Sequence, residues 1–283
     1  VDTLDETTWR ARAAAHEARV DAFVRPHLER RGARVKHPVH DFLFTYYSQR
    51  PAQLRRWHPG WGTRLEGRPH DGLKGYADGA VTASYVVSQR PVVEALHRLL
   101  TATAARPAHL GCFGMHEWAM VYRLEQDETR HADWPLRLGG AGTDAVVESH
   151  RIACSHFDAF RFFTPAARPL NTLSPTSTDR PDFEQPGCLH AGMDLYKHAF
   201  RLTPMISSDL VADCFEHARD IRLLDMRAAP YDLAPLGVEP VRVETAAGKA
   251  EYAAAQRGFA ERGAPLRARL VAECERLLEV RAD

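Results

Sequence analysis

Apolar side chains near the N-terminus recur with helical spacing. Trp9, Ala13, Val20, Phe23, Val24 and Leu28 are separated by steps of three, four and seven, so residues 5–30 are expected to form an amphipathic helix with one core-facing stripe. AEYAAAQRGFAERGAPLRARLVAECERLL repeats the pattern near the other end, where Pro265 is expected to kink or break the helix. Between them, HDFLFTYYSQRPAQLRRWH, RPVVEALHRLLTATAA, HEWAMVYRL, CLHAGMDLYKHAFRL and SSDLVADCFEHARDIRLLDMR also suit helices. Ser207 or Ser208 is placed to cap the last of these.

Strand-like alternation is scarce. WPLRL (134–138), IACSHFDAFRFF (152–163) and VEPVRVET (238–245) carry β-branched or aromatic residues with turn formers on their flanks, which predicts a small sheet. The expected fold is therefore mainly α, about seven or eight helices with that small sheet, in one globular domain over residues 1–283. Residues 164–187 hold five prolines and no periodic pattern. That stretch is expected to be a long loop that covers a site.

Within 152–163 and just before it, Glu148, His150, Cys154, His156 and Asp158 all have even numbers. On an extended segment they would point to one side, because side chains alternate with a period of two. A polar row on an aromatic-rich strand costs free energy unless its groups are paired or serve a site. The segment is therefore expected to be the inner strand of a polar pocket.

Charge and cysteine usage narrow the classes. Lys plus Arg and Asp plus Glu both number 37, so no global basic field draws the chain to nucleic acid or to an anionic membrane. DNA as a partner finds no support in that balance, and a small-molecule or nucleobase-like substrate is the expected ligand. Five cysteines without a CxxC pair argue against a disulfide framework, and no apolar run is long enough to span a bilayer. A cytoplasmic location without membrane association follows as an expectation.

Histidine carries the candidate chemistry, since 15 of them are present and several stand beside carboxylates. Imidazole is a common ligand for zinc and iron and the usual acid–base group near neutral pH. On facing elements His150, His156, Asp158, His190 and Asp194 can converge on one Fe(II) or Zn(II) ion with a position left open. Glu148, Asp158 and Asp225 are the candidate catalytic carboxylates. Tyr46, Tyr47, Trp118, Arg227 and Tyr231 are the candidate substrate-binding residues.

Other readings stand beside this one. His190, Asp194, Lys197, His198 and Arg201 share an arc of roughly 100° on a helix, which also suits a solvated face. The His/acid pairs can equally be buried polar networks in a non-catalytic binding protein. His156, Asp158 and a distant His follow the ligand order of Fe(II)/2-oxoglutarate oxygenases, whose β-helix a mainly helical chain does not fit. Nucleotide-binding glycine loops, a GxSxG elbow and HExxH are absent.

HPVHDFLFTYY (37–47), RPAQLRRWHPG (50–60), ARPAHLGCFGMHEWAMVYR (105–123), ESHRIACSHFDAFRFFTP (148–165), PGCLHAGMDLYKHAF (186–200) and ARDIRLLDMRAAPYDL (218–233) resemble a bacterial, mainly actinobacterial, family. Its members carry the name 3-methyladenine DNA glycosylase. The resemblance implies hydrolysis of an N-glycosidic bond to an alkylated adenine flipped from DNA, in base-excision repair. No helix-hairpin-helix turn followed by a catalytic Asp is present, so no catalytic residue can be matched one by one.

Overall fold

Asp5 opens the first long helix, Glu6–Gly32, and its carboxylate accepts from the Thr8 amide at 2.8 Å and the Thr8 hydroxyl at 2.7 Å. One of the orphan amides of the first turn is thereby satisfied. The structure is a computed structural model that describes residues 2–129 and 131–281. Among them, 56% helix and a four-stranded mixed sheet make the protein mainly helical. The six long helices are Glu6–Gly32, Arg90–Ala104, Gly139–Glu148, Leu189–Arg201, Ser208–Arg227 and Ala246–Leu278. Six further helices have four to six residues each, so the described helices number 12 where seven or eight are expected from sequence.

The difference has local causes. Residues 40–58 split into Phe42–Tyr46 and Pro51–Arg55, because Pro51 cannot donate within a helix and instead occupies its first turn. Ser207 accepts from the Asp209 amide at 3.1 Å and so starts the Ser208–Arg227 helix, as its sequence predicts. Pro265 does not end its helix, which continues from Ala246 to Leu278. One missing internal hydrogen bond is offset there by buried residues on both sides of the proline, Tyr252 and Gln256 before it and Leu270, Cys274 and Leu277 after it.

The sheet lies elsewhere than its sequence signal. Its order is Asp2–Leu4, Thr63–Leu65, Ala80–Val81, Tyr76–Ala77, parallel in the first pair and antiparallel in the others. The expected strands at 134–138 and 152–163 are reduced to isolated bridges, Leu136 with Tyr231 and Ile152 with Asn171, and no strand forms over 238–245. For the second segment the reason is visible. The Asn171 side chain accepts from the Cys154 amide at 2.7 Å and donates to the Cys154 carbonyl at 3.0 Å, doing the work of a neighbouring strand. Phe157–Phe160 then turns into a short helix. The even-numbered row is therefore not displayed on one face of a strand.

The chain divides into two compact units. The first comprises Val1–Thr101, Asp194–Ala218 and Pro265–Asp283; the second comprises Ala102–Met193 and Arg219–Ala264. In the first, Phe215 gathers the rings of Phe23, Phe44 and Tyr196 at centroid distances of 5.6, 5.4 and 5.1 Å. In the second, Trp118, Tyr231, Tyr252 and Ile152 are buried, and the polar network described below sits among them.

His58, buried in the first unit, donates to or accepts from the Tyr76 hydroxyl through Nδ1 at 2.9 Å. Burial, with the charges of His70, Arg56 and His16, pushes its pKa down to about 3. The unfolded chain takes up this proton near pH 6.5 while the folded chain refuses it. Stability from this group is full above pH 6.5, declines as pH falls, and is gone below about 3. Urea unfolding is expected to show a loss on the order of 5 kcal/mol across that range. His58→Asn is expected to remove this component, and an unchanged pH dependence in the variant would exclude His58 as its source.

Candidate metal centre

Two consecutive left-handed residues set up the site. Phe113 has φ 46° and Gly114 has φ 68°, immediately ahead of the short helix Met115–Ala119. A Cβ at Gly114 would stand 3.4 Å from both Ala228 and Tyr252. Space would nearly admit a Cβ there, so it is the left-handed conformation that favours glycine. The non-glycine φ at Phe113 stores local strain of about 1–3 kcal/mol, which the packing around it must hold. That turn delivers His116 and Glu117 side by side.

Both meet the end of the Ser208–Arg227 helix. His116 Nε2 lies 2.7 Å from Asp225 Oδ1, Arg222 Nη1 donates to Asp225 Oδ2 at 2.7 Å, and the same Nη1 donates to Glu117 Oε1 at 2.9 Å. Asp225 is 0% exposed and Arg222 1%. The spacing of three between Arg222 and Asp225 places them one turn apart on one face. Trp118, next in the short helix, donates its indole N–H to the Ala228 carbonyl at 2.8 Å and locks the two segments together.

His190, in the first turn of Leu189–Arg201, completes the group. Its ring stands edge-on to that of His116, with centroids 4.5 Å apart. His116, His190 and Asp225 each offer one ligand atom, and these atoms lie within 4.8 Å of one another. Donors about 2.0–2.2 Å from one ion are at most about 4.4 Å apart, so a shift of a few tenths of an ångström brings them into ligand range. Two imidazoles and one carboxylate suit Zn(II) or Fe(II).

Charge supports the fit. With both imidazoles in the neutral form that binds metal, Asp225 and Glu117 with Arg222 would leave one net negative charge around the ion, which favours a cation in a buried setting. Arg222 also fixes which carboxylate oxygen points inward, the orienting part that outer partners play at metal sites. Burial pushes the Asp225 carboxyl up, but the charges of His116 and Arg222 and the His116 hydrogen bond outweigh it and hold it well below the usual carboxylate range. Burial likewise pushes His116 down, and the Asp225 charge and hydrogen bond more than reverse that. His116 and Asp225 thus stabilise each other's charged forms, and a metal ion would take the place of that proton.

A third imidazole stands close by. His156, 0% exposed, has its ring centroid 5.3 Å from that of His190. Its Nε2 lies 3.4 Å from Glu184 Oε1, and Arg180 bonds the same carboxylate. Arg180 and Glu184 come from the 164–187 segment, which therefore supplies groups to this site. A cavity of about 20 Å³ adjoins the imidazoles, lined by His116 and His190 together with Ser155, Gln185 and sulfur-bearing and apolar residues. Its volume accommodates about one water molecule.

The structure separates the residues singled out in the sequence. His190, Asp225 and His156 come together as described; His116 joins them, although its sequence context showed only an HE pair without a second His. Asp194, a turn beyond His190, belongs to the first unit, where it accepts from the Tyr47 hydroxyl at 2.9 Å and stands 3.5 Å from Lys197. His150 caps the end of Gly139–Glu148, its Nδ1 donating to the Val146 carbonyl at 2.6 Å. Glu148 is exposed and accepts from Tyr122 and Arg123. Asp158 pairs with Arg161 at 3.5 Å on the short Phe157–Phe160 helix.

The aromatic candidates are mostly core. Trp118, Tyr231 and Tyr47 are 0%, 2% and 6% exposed, while Tyr46 stacks on Phe42 at 4.9 Å. Arg227 donates to the Glu239 carbonyl and pairs with Glu251 at 3.0 Å. Among the described residues no helix is long and apolar enough to cross a membrane. Comparison with protein-family models, with curated proteins and with solved structures finds no match.

Proposed function

We propose that the chain is a metal-dependent enzyme in which His116, His190 and Asp225 hold one divalent ion of the Zn(II) or Fe(II) class. The observation that carries this reading is the convergence of three buried ligand atoms within 4.8 Å beside a cavity. Structural zinc sites use four protein ligands and are closed, whereas catalytic sites use three and leave a position for water or substrate. Three ligands next to a water-sized space follow the second pattern. An ion held there supplies Lewis acidity to a small polar or nucleobase-like substrate, in hydrolysis or in oxygen-dependent chemistry.

The chain's own residues have separable parts in this scheme. Arg222 holds Asp225 in register, and Glu117 neutralises Arg222. His156, backed by Glu184 and standing beside His190, is placed to accept or return a proton near the cavity. The small cavity selects a ligand of few atoms in the closed form; a larger one requires the 164–187 segment to yield. Purified protein supplemented with zinc or iron is expected to retain one ion per chain after gel filtration. Metal content at trace level in folded, supplemented protein would overturn the proposal.

The supporting assay uses His156→Gln. Metal retention is expected to stay within about threefold of the parent while turnover on a hydrolysable small substrate falls by about 100-fold, the usual span for loss of an acid–base group. Equal loss of metal and turnover would assign His156 to the ligand set instead. Release of free base from methylated duplex DNA, run on the same preparations, tests the activity that the sequence resemblance implies.

A further inference from the structure

The 164–187 segment is tied down at both ends and loosely held between them. Asn171 bonds both backbone groups of Cys154, and the Thr172 amide donates to the Ile152 carbonyl at 2.8 Å. At the other end Gln185 Oε1 accepts from the amides of His109 at 2.8 Å and Gly187 at 2.7 Å, and Arg106 donates to the Glu184 carbonyl at 3.1 Å. Among the described residues, no hydrogen bond of 174–179 or 181–183 reaches beyond the segment. Local opening concentrates where such ties are few. All of these groups belong to the second unit.

Arg180 lies in the loose stretch, on the one-turn helix Arg180–Phe183. Its Nε donates to Glu184 Oε1 at 2.5 Å, and its Nη2 stands 3.4 Å from His156 Nε2. The Glu184 side chain is 2% exposed and that of Arg180 15%. One buried ion pair therefore joins the anchored end, through Glu184, to the loose stretch, through Arg180. Glu184 and His156 are chain neighbours of Gln185 and Ser155, so the pair borders the cavity wall without lining it. A guanidinium presents a planar fork that matches a carboxylate. The position facing Arg180 already holds one, supplied by the chain itself.

We propose that Arg180 is the recognition group for a small carboxylate substrate, which takes the place of Glu184 on the guanidinium when residues 174–183 swing away and return. Exchange of one carboxylate for another leaves the buried cation paired in both states, which avoids the cost of an uncompensated charge. Glu184, released by Arg180, retains His156 as a neighbour at 3.4 Å. The chemistry done on the bound carboxylate rests on the metal centre proposed above, while its binding needs no ion.

Acetate, its neutral isostere acetamide and inorganic phosphate are the probes, titrated into the metal-free full chain and followed by histidine ring-proton NMR signals. Acetate is expected to bind at least about 10-fold more tightly than acetamide, the scale of a charge-assisted pair. Arg180→Gln is expected to abolish that preference, and Arg180→Lys, which keeps the charge but loses the fork, to keep part of it. Glu184→Gln is expected to tighten acetate by about 10-fold, because it removes the competing charge from the guanidinium. A variant that merely misfolds does not gain affinity. Equal binding of acetate and acetamide, or acetate affinity unchanged in both Arg180→Gln and Glu184→Gln, would overturn the proposal. Phosphate binding more tightly than acetate would overturn the carboxylate class. Zinc retention on the same preparations keeps the two readings apart. An acetate preference without zinc retention removes the metal centre and leaves the Arg180 site, and zinc retention without the preference does the reverse.

Discussion

Asp225→Asn is expected to lower zinc or iron affinity by at least about 100-fold, since loss of an outer partner alone costs roughly 10- to 100-fold at comparable sites and Asp225 is assigned as a ligand. The substitution keeps the shape of the side chain while removing its charge. Arg222 and His116 then face each other across a neutral amide, so the ion meets a cage that has lost its net negative charge. Competitive titration against a chromophoric chelator measures the change. Affinity within threefold of the parent would remove Asp225 from the ligand set. His190→Gln, which replaces a ligand on a different helix, is expected to give a loss of similar size.

Arg222→Met is expected to destabilise the metal-free chain by about 3–5 kcal/mol, the range for removing one partner of a buried ion pair. Arg222 is 1% exposed and donates from one nitrogen to both Glu117 and Asp225. Methionine matches much of its volume but leaves two buried carboxylates without their guanidinium, and His116 bonds only one of them. Acid titration and urea unfolding read the loss. A divalent ion supplies positive charge to the same carboxylate, so zinc at about 1,000 times its dissociation constant is expected to restore about 4 kcal/mol. If zinc stabilises the parent and leaves the variant unchanged, the ion does not bind at Asp225. Glu117→Gln is expected to cost less than Arg222→Met, because it removes a charge while keeping an acceptor oxygen and leaves the Arg222–Asp225 pair intact.

How much of this centre was legible in the chain can be followed residue by residue. His190 stood out because it lies four residues before Asp194 on a helical pattern, and Asp225 because it stands near Arg227 and Pro230 on a stretch expected to be a loop after a helix, whereas the structure keeps it inside Ser208–Arg227. His156 was visible as an imidazole among aromatic residues. Its neighbours His150 and Asp158 shared the signal through an assumed strand, and the structure replaces that strand with one bridge and a short helix. Asp194 shared a helical face with His190 on paper, yet its carboxylate is engaged by Tyr47 in the first unit. Tyr47 is 147 residues away in sequence, and no local pattern encodes such a partner.

His116 is the instructive case. Its motif context was negative, since HE without a second His four residues later matches no known zinc helix. Its role depends on the Phe113–Gly114 turn and on a hydrogen bond to Asp225, 109 positions further along the chain. The glycine after an aromatic residue in CFGMHEW was the one available hint, because a left-handed turn commonly requires glycine.

The sequence by itself determined the mainly helical class, the long terminal helices, a serine cap at Ser207 or Ser208, the absence of a long apolar span and the supply of histidines next to carboxylates. These are properties of short-range periodicity and composition, in which each residue reports on neighbours within about one helical turn. Only the tertiary structure decided where the strands pair, that Pro265 sits inside a continuous helix, which three of the many ligand-type side chains converge, and that three cysteines from separate segments share a cavity with two of them. Those outcomes depend on contacts between residues tens to more than a hundred positions apart. Such contacts are selected by burial and by the need to pair every buried polar group, and neither is expressed in any single window of the chain.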